Sequence, residues 1–195
     1  MKNLTKFLET EIQDATCIEY PYCNSTLNKR EFHLKETDTS AFIHDFYLNM
    51  DNDEACNAIA IRLPTNQPIQ KFLKNRAVIC DYLVLLPQKD IFLLLELKGR
   101  KTGHAQQQIK HGMCFVEYLI SLCNTFHHSI SPLVKHKTIR LIAAKPRNRT
   151  ATTNKGNEHK FYFKDDYIVL WGSSETRLNL KRLLAEYKNL FLSTP

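Results

Sequence analysis

Two apolar runs dominate the middle of the chain. Val78 to Leu86 and Ile91 to Leu97 are rich in Val, Ile, Leu, Tyr and Phe, and both have strand length. Pro87-Gln88-Lys89-Asp90 between them has turn chemistry. The pattern predicts a β-hairpin. If its loop is symmetric, Leu86 faces Ile91 and all facing pairs have numbers with the same sum. Upstream, Asn3 to Asp14 predicts a short helix with Leu4, Phe7, Leu8, Glu11 and Ile12 on one stripe and its flank. Glu31 to Glu36 and Ala41 to Leu48 are strand candidates, and Pro64 and Pro68 bracket a loop before Lys71 to Arg76. Downstream, a helix is expected to run to about Cys123 with Ile109, Met113, Val116 and Ile120 on one face. Lys137 to Ala144 and Tyr167 to Trp171 read as strands. Glu175 to Phe191 reads as one amphipathic helix whose buried face is Leu178, Leu180, Leu183, Leu184, Tyr187 and Leu190. Together these elements predict an α/β domain with a central mixed β-sheet flanked by helices.

Three charges interrupt the hairpin: Asp81, Glu96 and Lys98. Buried charge costs several kcal/mol or more unless it is paired or metal-bound. In the symmetric register Asp81 falls opposite Glu96, where facing Cβ atoms are roughly 4.5–5.5 Å apart. Two carboxylates at that distance repel, and a divalent cation between them reverses the sign. Lys98 lies two residues past Glu96 and shares its strand face. Glu-x-Lys alone is a weak signal, since Glu158-His159-Lys160 and Glu186-Tyr187-Lys188 also match. Only Glu96-Leu97-Lys98 sits in an apolar strand with an acid opposite. The structural alternative is a buried Lys98–Glu96 ion pair with Asp81 at the start of its strand.

At Cys80-Asp81 followed by Glu96-Leu97-Lys98 the chain resembles the PD-(D/E)xK nuclease superfamily, with Cys80 replacing the usual proline. The resemblance covers residues 76 to 112 well, and the remainder only by element order. It implies a restriction-endonuclease-like core and a Mg²⁺-dependent nuclease, with Mn²⁺ as a substitute ion. Asp81 and Glu96 would hold the metal with the Leu97 backbone carbonyl, and Lys98 would orient or help deprotonate the attacking water. Several branches of the superfamily carry a glutamine near the start of the following helix. Gln108 is the best match because it shares a stripe with Ala105 and Gly112, and Gln107 is the fallback. A first helix often supplies one more acid. Glu9, Glu11 and Glu54 (the last at an expected helix start) are the candidates, with no choice among them. The implied organisation is one domain over residues 1–195, with a core at about 70–172, a family-specific addition at 15–70 and a C-terminal helix at 175–191.

The 195 residues are enough for one sizeable core, and the 43% hydrophobic content fits a globular protein. The net charge of +7 suits a polyanionic partner. Arg100 and Lys101 after the hairpin, and Lys145, Arg147, Arg149 and Lys155 in a polar stretch, are the expected nucleic-acid contacts. That stretch reads equally as a solvated loop. DNA is preferred over RNA on family base rate. Restriction or anti-phage defence, repair and mobile-element processing all use such a site, and a homodimer or a partner protein is expected to complete it. A non-catalytic nucleic-acid-binding or assembly subunit with the same fold is the alternative. No apolar run is long enough to cross a membrane. Glu9 and Glu11 fall where an export signal needs apolar residues, which predicts a cytoplasmic protein with reduced thiols. The six cysteines form no Cys-x-x-Cys pair, which argues against a zinc finger. Cys80 and Cys114 read as core residues, and Cys17 and Cys23 as a minor candidate pair. His127-His128, and His104 with His111, match no ligand spacing. P-loop, dinucleotide and Gly-x-Ser-x-Gly signatures do not occur.

Overall fold

The computed structural model describes residues 2–11, 17–26, 28–35, 45–63, 79–98, 104–127, 137–144, 160–164, 167–172 and 175–191. Helix α1 (Lys2–Glu11) precedes the short strands β1 (Ile18–Glu19) and β2 (Tyr22–Asn24), then β3 (Lys29–Lys35), β4 (Asp45–Met50) and β5 (Ile59–Arg62). The hairpin follows as β6 (Tyr82–Leu86) and β7 (Ile91–Leu97). Helix α2 (Ala105–His127) leads to β8 (Lys137–Ala144), β9 (Lys160–Lys164) and β10 (Tyr167–Trp171). Strand β11 (Glu175–Asn179) and helix α3 (Leu180–Phe191) complete the described chain.

The strands form two sheets, so the fold is α/β with mixed sheets and flanking helices. One is seven-stranded in the order β1-β5-β6-β7-β8-β10-β9, and the other is four-stranded in the order β11-β4-β3-β2. In the large sheet β5, β6 and β7 pair antiparallel, while β8 lies parallel to β7 after the α2 crossover. Leu86 faces Ile91 and Tyr82 faces Leu95, the register expected from the apolar pattern. Asp90 in the turn adopts a left-handed φ of 55°, which Asp tolerates.

Every residue of β6 and β7 is buried because both faces of the large sheet are covered. One face packs on α1 and α2 through Leu4, Phe7, Leu8, Leu83, Leu85, Phe92, Leu94, Ile109 and Val116. The opposite face meets the small sheet and α3 through Phe32, Leu34, Phe46, Leu48, Tyr82, Val84, Leu93, Leu95 and Leu183. On the outer side of the small sheet Glu31 is buried, held by Tyr22, by Asn24 Nδ2 at 2.8 Å and by Arg177 at 3.2 Å. Ile109, Val116 and Ile120 are buried and Met113 packs beside them, as the helical period predicts.

Several boundaries differ from the sequence reading. Residues 175–191 are a strand and then a helix. Thr176 and Leu178 point inward while Glu175 and Arg177 are exposed, a period of two that lets β11 pair parallel with β4. Asn179 then caps α3, its Oδ1 accepting the N–H of Lys181 at 2.9 Å. Strands β3 and β4 run Lys29–Lys35 and Asp45–Met50, shifted from the expected ranges, whose residues 36 and 41–44 lie outside the described residues. The large sheet recruits β1 and β5, so it extends well upstream of residue 70. Glu54 lies in a turn and does not open a helix. Cys114 is exposed on α2, and Cys123 is buried in its place beside the expected Cys80. None of the six cysteines is in a disulfide, and Cys17 is half-buried and Cys23 exposed.

Candidate active site

The site grows out of the hairpin register. The ladder ends at Tyr82–Leu95, and carrying its register one position further sets Asp81 opposite Glu96. Ile91, Leu93, Leu95 and Leu97 face the small sheet, while Phe92 and Leu94 face the helices. Strand alternation therefore puts Glu96, and Lys98 after it, on the helix side. Glu96 is fully buried and pairs with the Lys98 ammonium. Asp81 is half-buried, and its Oδ2 accepts the backbone N–H of Leu97 at 2.6 Å.

Neighbouring strands fix all three backbones. The Lys98 N–H donates to the Ala143 carbonyl on β8 at 2.8 Å, and the Asp81 carbonyl accepts the Leu63 N–H at 2.8 Å. Cys80 turns towards α2, its N–H donating to the Gln108 carbonyl at 3.1 Å. Gln108 is buried and Gln107 exposed, so α2 presents the expected glutamine to the sheet. Burial, and then the charges of Glu96 and Asp81, hold the Cys80 thiol well above its ordinary range. The Cys80 side chain is thus an inert neighbour of both carboxylates.

The acidic candidates from elsewhere do not join them. Glu54 pairs with Lys89 of the hairpin turn at 3.3 Å and accepts the Asp51 N–H at 3.1 Å. That turn is at the far end of the strands, about 17 Å from Asp81 at the usual rise per residue. Glu9 is exposed on α1 and accepts a hydrogen bond from Tyr20 at 3.1 Å, and Glu11 is exposed. Among the described residues no group of three or more His, Cys, Asp or Glu side chains is placed to hold a metal ion. The oxygen groups at this end of the hairpin are the Asp81 and Glu96 carboxylates and backbone carbonyls, donors of the kind a hard cation takes. Arg100, Lys101, Lys145, Arg147, Arg149 and Lys155 lie outside the described residues.

Sequence reasoning missed a polar knot on the opposite face. Tyr82, next to Asp81, is fully buried, and its hydroxyl donates to the Lys35 carbonyl at 2.7 Å. The same oxygen accepts from Arg62 at 2.9 Å and from the Lys35 N–H at 3.0 Å. This joins the end of β6 that carries Asp81 to the end of β3. The available signal was a tyrosine in an otherwise aliphatic strand, since a buried hydroxyl needs partners. Among the described residues no helix is long and apolar enough to cross a membrane. No protein-family model, curated protein or solved structure matches the chain.

Proposed function

We propose that this protein is a Mg²⁺-dependent nuclease of the PD-(D/E)xK type that hydrolyses phosphodiester bonds of nucleic acid, with DNA the first substrate to test. One observation carries the reading: the β6–β7 register, carried one position past Tyr82–Leu95, brings Asp81 opposite Glu96, and Lys98 sits against Glu96. The order α1, β5, β6, β7, α2, β8 supports it. It has an antiparallel three-stranded meander, a crossover helix and a parallel fourth strand, as a restriction-endonuclease-like core has.

In this reading Asp81, Glu96 and the Leu97 carbonyl hold the cation. When bound, Mg²⁺ acidifies a water and neutralises charge developing on the phosphate. The Leu97 N–H aims the Asp81 carboxylate by taking one of its oxygens. Lys98 keeps part of its side chain in solvent while its ammonium sits at Glu96, so it can orient the attacking water. Gln108, one helix turn into α2, supports the same face. The net charge of +7 favours a polyanionic substrate.

The direct Lys98–Glu96 contact also favours a second reading, a nucleic-acid-binding subunit in which the pair is structural. Incubation with supercoiled, linear and single-stranded DNA and with RNA, in Mg²⁺, Mn²⁺ or EDTA, separates the two. Cleavage that needs the metal and disappears in Asp81→Ala/Glu96→Ala is expected. Undiminished cleavage by the purified double variant overturns the nuclease reading, and metal-independent binding without cleavage of any substrate selects the second.

A further inference from the structure

We infer that Gly112 and Cys80 form a close helix-to-strand contact that positions Asp81, making Gly112 a positioning residue for metal binding. The inference rests on the proposed nuclease reading.

Three observations meet at this contact. A Cβ built on Gly112 would lie 2.5 Å from Cys80 Sγ, nearer than carbon and sulfur can approach, and 3.5 Å from Leu94 Cδ2. At Gly112 helix α2 thus leaves no room for a Cβ while the Cys80 sulfur keeps its present position. One turn earlier the Gln108 carbonyl takes the Cys80 N–H at 3.1 Å, so the same part of the helix also holds the strand by its backbone. With Cys80 turned towards α2, the Leu97 N–H is received by the side chain of Asp81 at 2.6 Å.

The chain of cause runs from α2 to Cys80, from Cys80 to its neighbour Asp81, and from Asp81 to Leu97, whose carbonyl is a proposed ligand. Cys80 is fully buried, with its thiol 3.9 Å from the Tyr82 carbonyl, so the crowded sulfur is hemmed in. A methyl at position 112 displaces the Cys80 segment and with it the Asp81 carboxylate. Removing the sulfur reopens the space. Cys80, unlike a proline, carries the N–H that the Gln108 carbonyl accepts.

Mn²⁺ binding to the purified full chain, read as loss of the free-ion paramagnetic signal, tests this without any turnover. Thermal unfolding is recorded alongside in EDTA. Gly112→Ala is expected to weaken Mn²⁺ binding by about tenfold or more, the scale of losing a group that orients a ligand. Gly112→Ala/Cys80→Ala should bind the ion more tightly than Gly112→Ala. The melting temperatures in EDTA separate a loss of folded protein from a loss of affinity in the folded protein. Folded Gly112→Ala with unchanged Mn²⁺ affinity overturns the inference while the unaltered protein still binds the ion. If the unaltered protein binds no Mn²⁺, the nuclease reading falls, and this inference with it. Should Gly112→Ala not fold, Cys80→Thr crowds the same contact from the strand side, and unchanged affinity there overturns the inference equally.

Discussion

The Asp81 carboxylate accepts the backbone N–H of Leu97, two residues beyond the last hairpin pair, at 2.6 Å. A side chain thus does what a strand carbonyl does elsewhere in the ladder. Asp81→Asn keeps an oxygen for this bond and loses the charge. We expect it to unfold close to the unaltered protein while Mn²⁺ binding and cleavage vanish. Asp81→Ala leaves the Leu97 donor without that acceptor and should cost a further 1–3 kcal/mol or so of stability. Urea unfolding in EDTA compares the two, and equal stability would show that the bond contributes nothing.

Lys98→Ala should abolish cleavage with the fold retained. It also removes the ammonium beside a fully buried carboxylate. We expect a loss of about 2–3 kcal/mol in EDTA, below the range for fully buried pairs because the Lys98 side chain keeps 24% of its surface exposed. Lys98→Ala/Glu96→Gln should regain most of that stability and none of the activity. Unfolding curves for the single and double variants decide whether the pair is coupled in this way.

Tyr82 gives the stability a dependence on alkaline pH. Burial, and then the Glu19 charge, push its hydroxyl up to about 12 from 10.0. The folded protein therefore holds this proton where the unfolded chain has released it. The contribution is complete below about pH 10 and is lost as pH rises from 10 to 12. At two pH units it amounts to roughly 2–3 kcal/mol. Unfolding free energies across this window should fall more steeply for the unaltered protein than for Tyr82→Phe.

Asn179→Ala removes the cap of α3 and should lower stability by about 1 kcal/mol, with cleavage unchanged. Asn179→Asp should retain most of it. A thermal melt of the three proteins, with a cleavage assay on each, checks both statements.

Cysteine accessibility tests the packing directly. Cys23, Cys56 and Cys114 are exposed, and Cys80 and Cys123 are buried. Brief alkylation of the native protein should label the first three and spare the last two, as read by peptide mass. Labelling of Cys80 at the rate of Cys114 would contradict the helix-to-strand contact.

The hairpin was legible in the sequence because each of its strands is covered on both sides, so that its apolar run is continuous and its few charges stand out. Helix α2 and strands β8 and β10 were legible for similar reasons: each has a clear period and clear ends. The small sheet was not. β3 and β4 carry Glu31, His33, Asp45 and Asn49 among their apolar residues, and the second partner of β4 is β11, more than a hundred residues away. Leu178 fits a helical stripe with the leucines after it as well as it fits a strand, and only the cap at Asn179 separates the two. At the site, Asp81, Glu96 and Lys98 followed from register. The Leu97–Asp81 bond, the Tyr82 knot and the contact at Gly112 depend on where β6 leaves its ladder, which no local pattern encodes.

The parallel pairing of β11 with β4 has a consequence for how the molecule is made. During synthesis β3 and β4 emerge early, but one edge of β4 stays open until residues 175–179 are available, and Glu31 waits equally long for Arg177. The hairpin can close at once from neighbouring residues. The order of assembly is therefore hairpin first and small sheet last, with an exposed strand edge in the interval. Chaperone dependence and low-temperature expression yield should track that edge rather than the site.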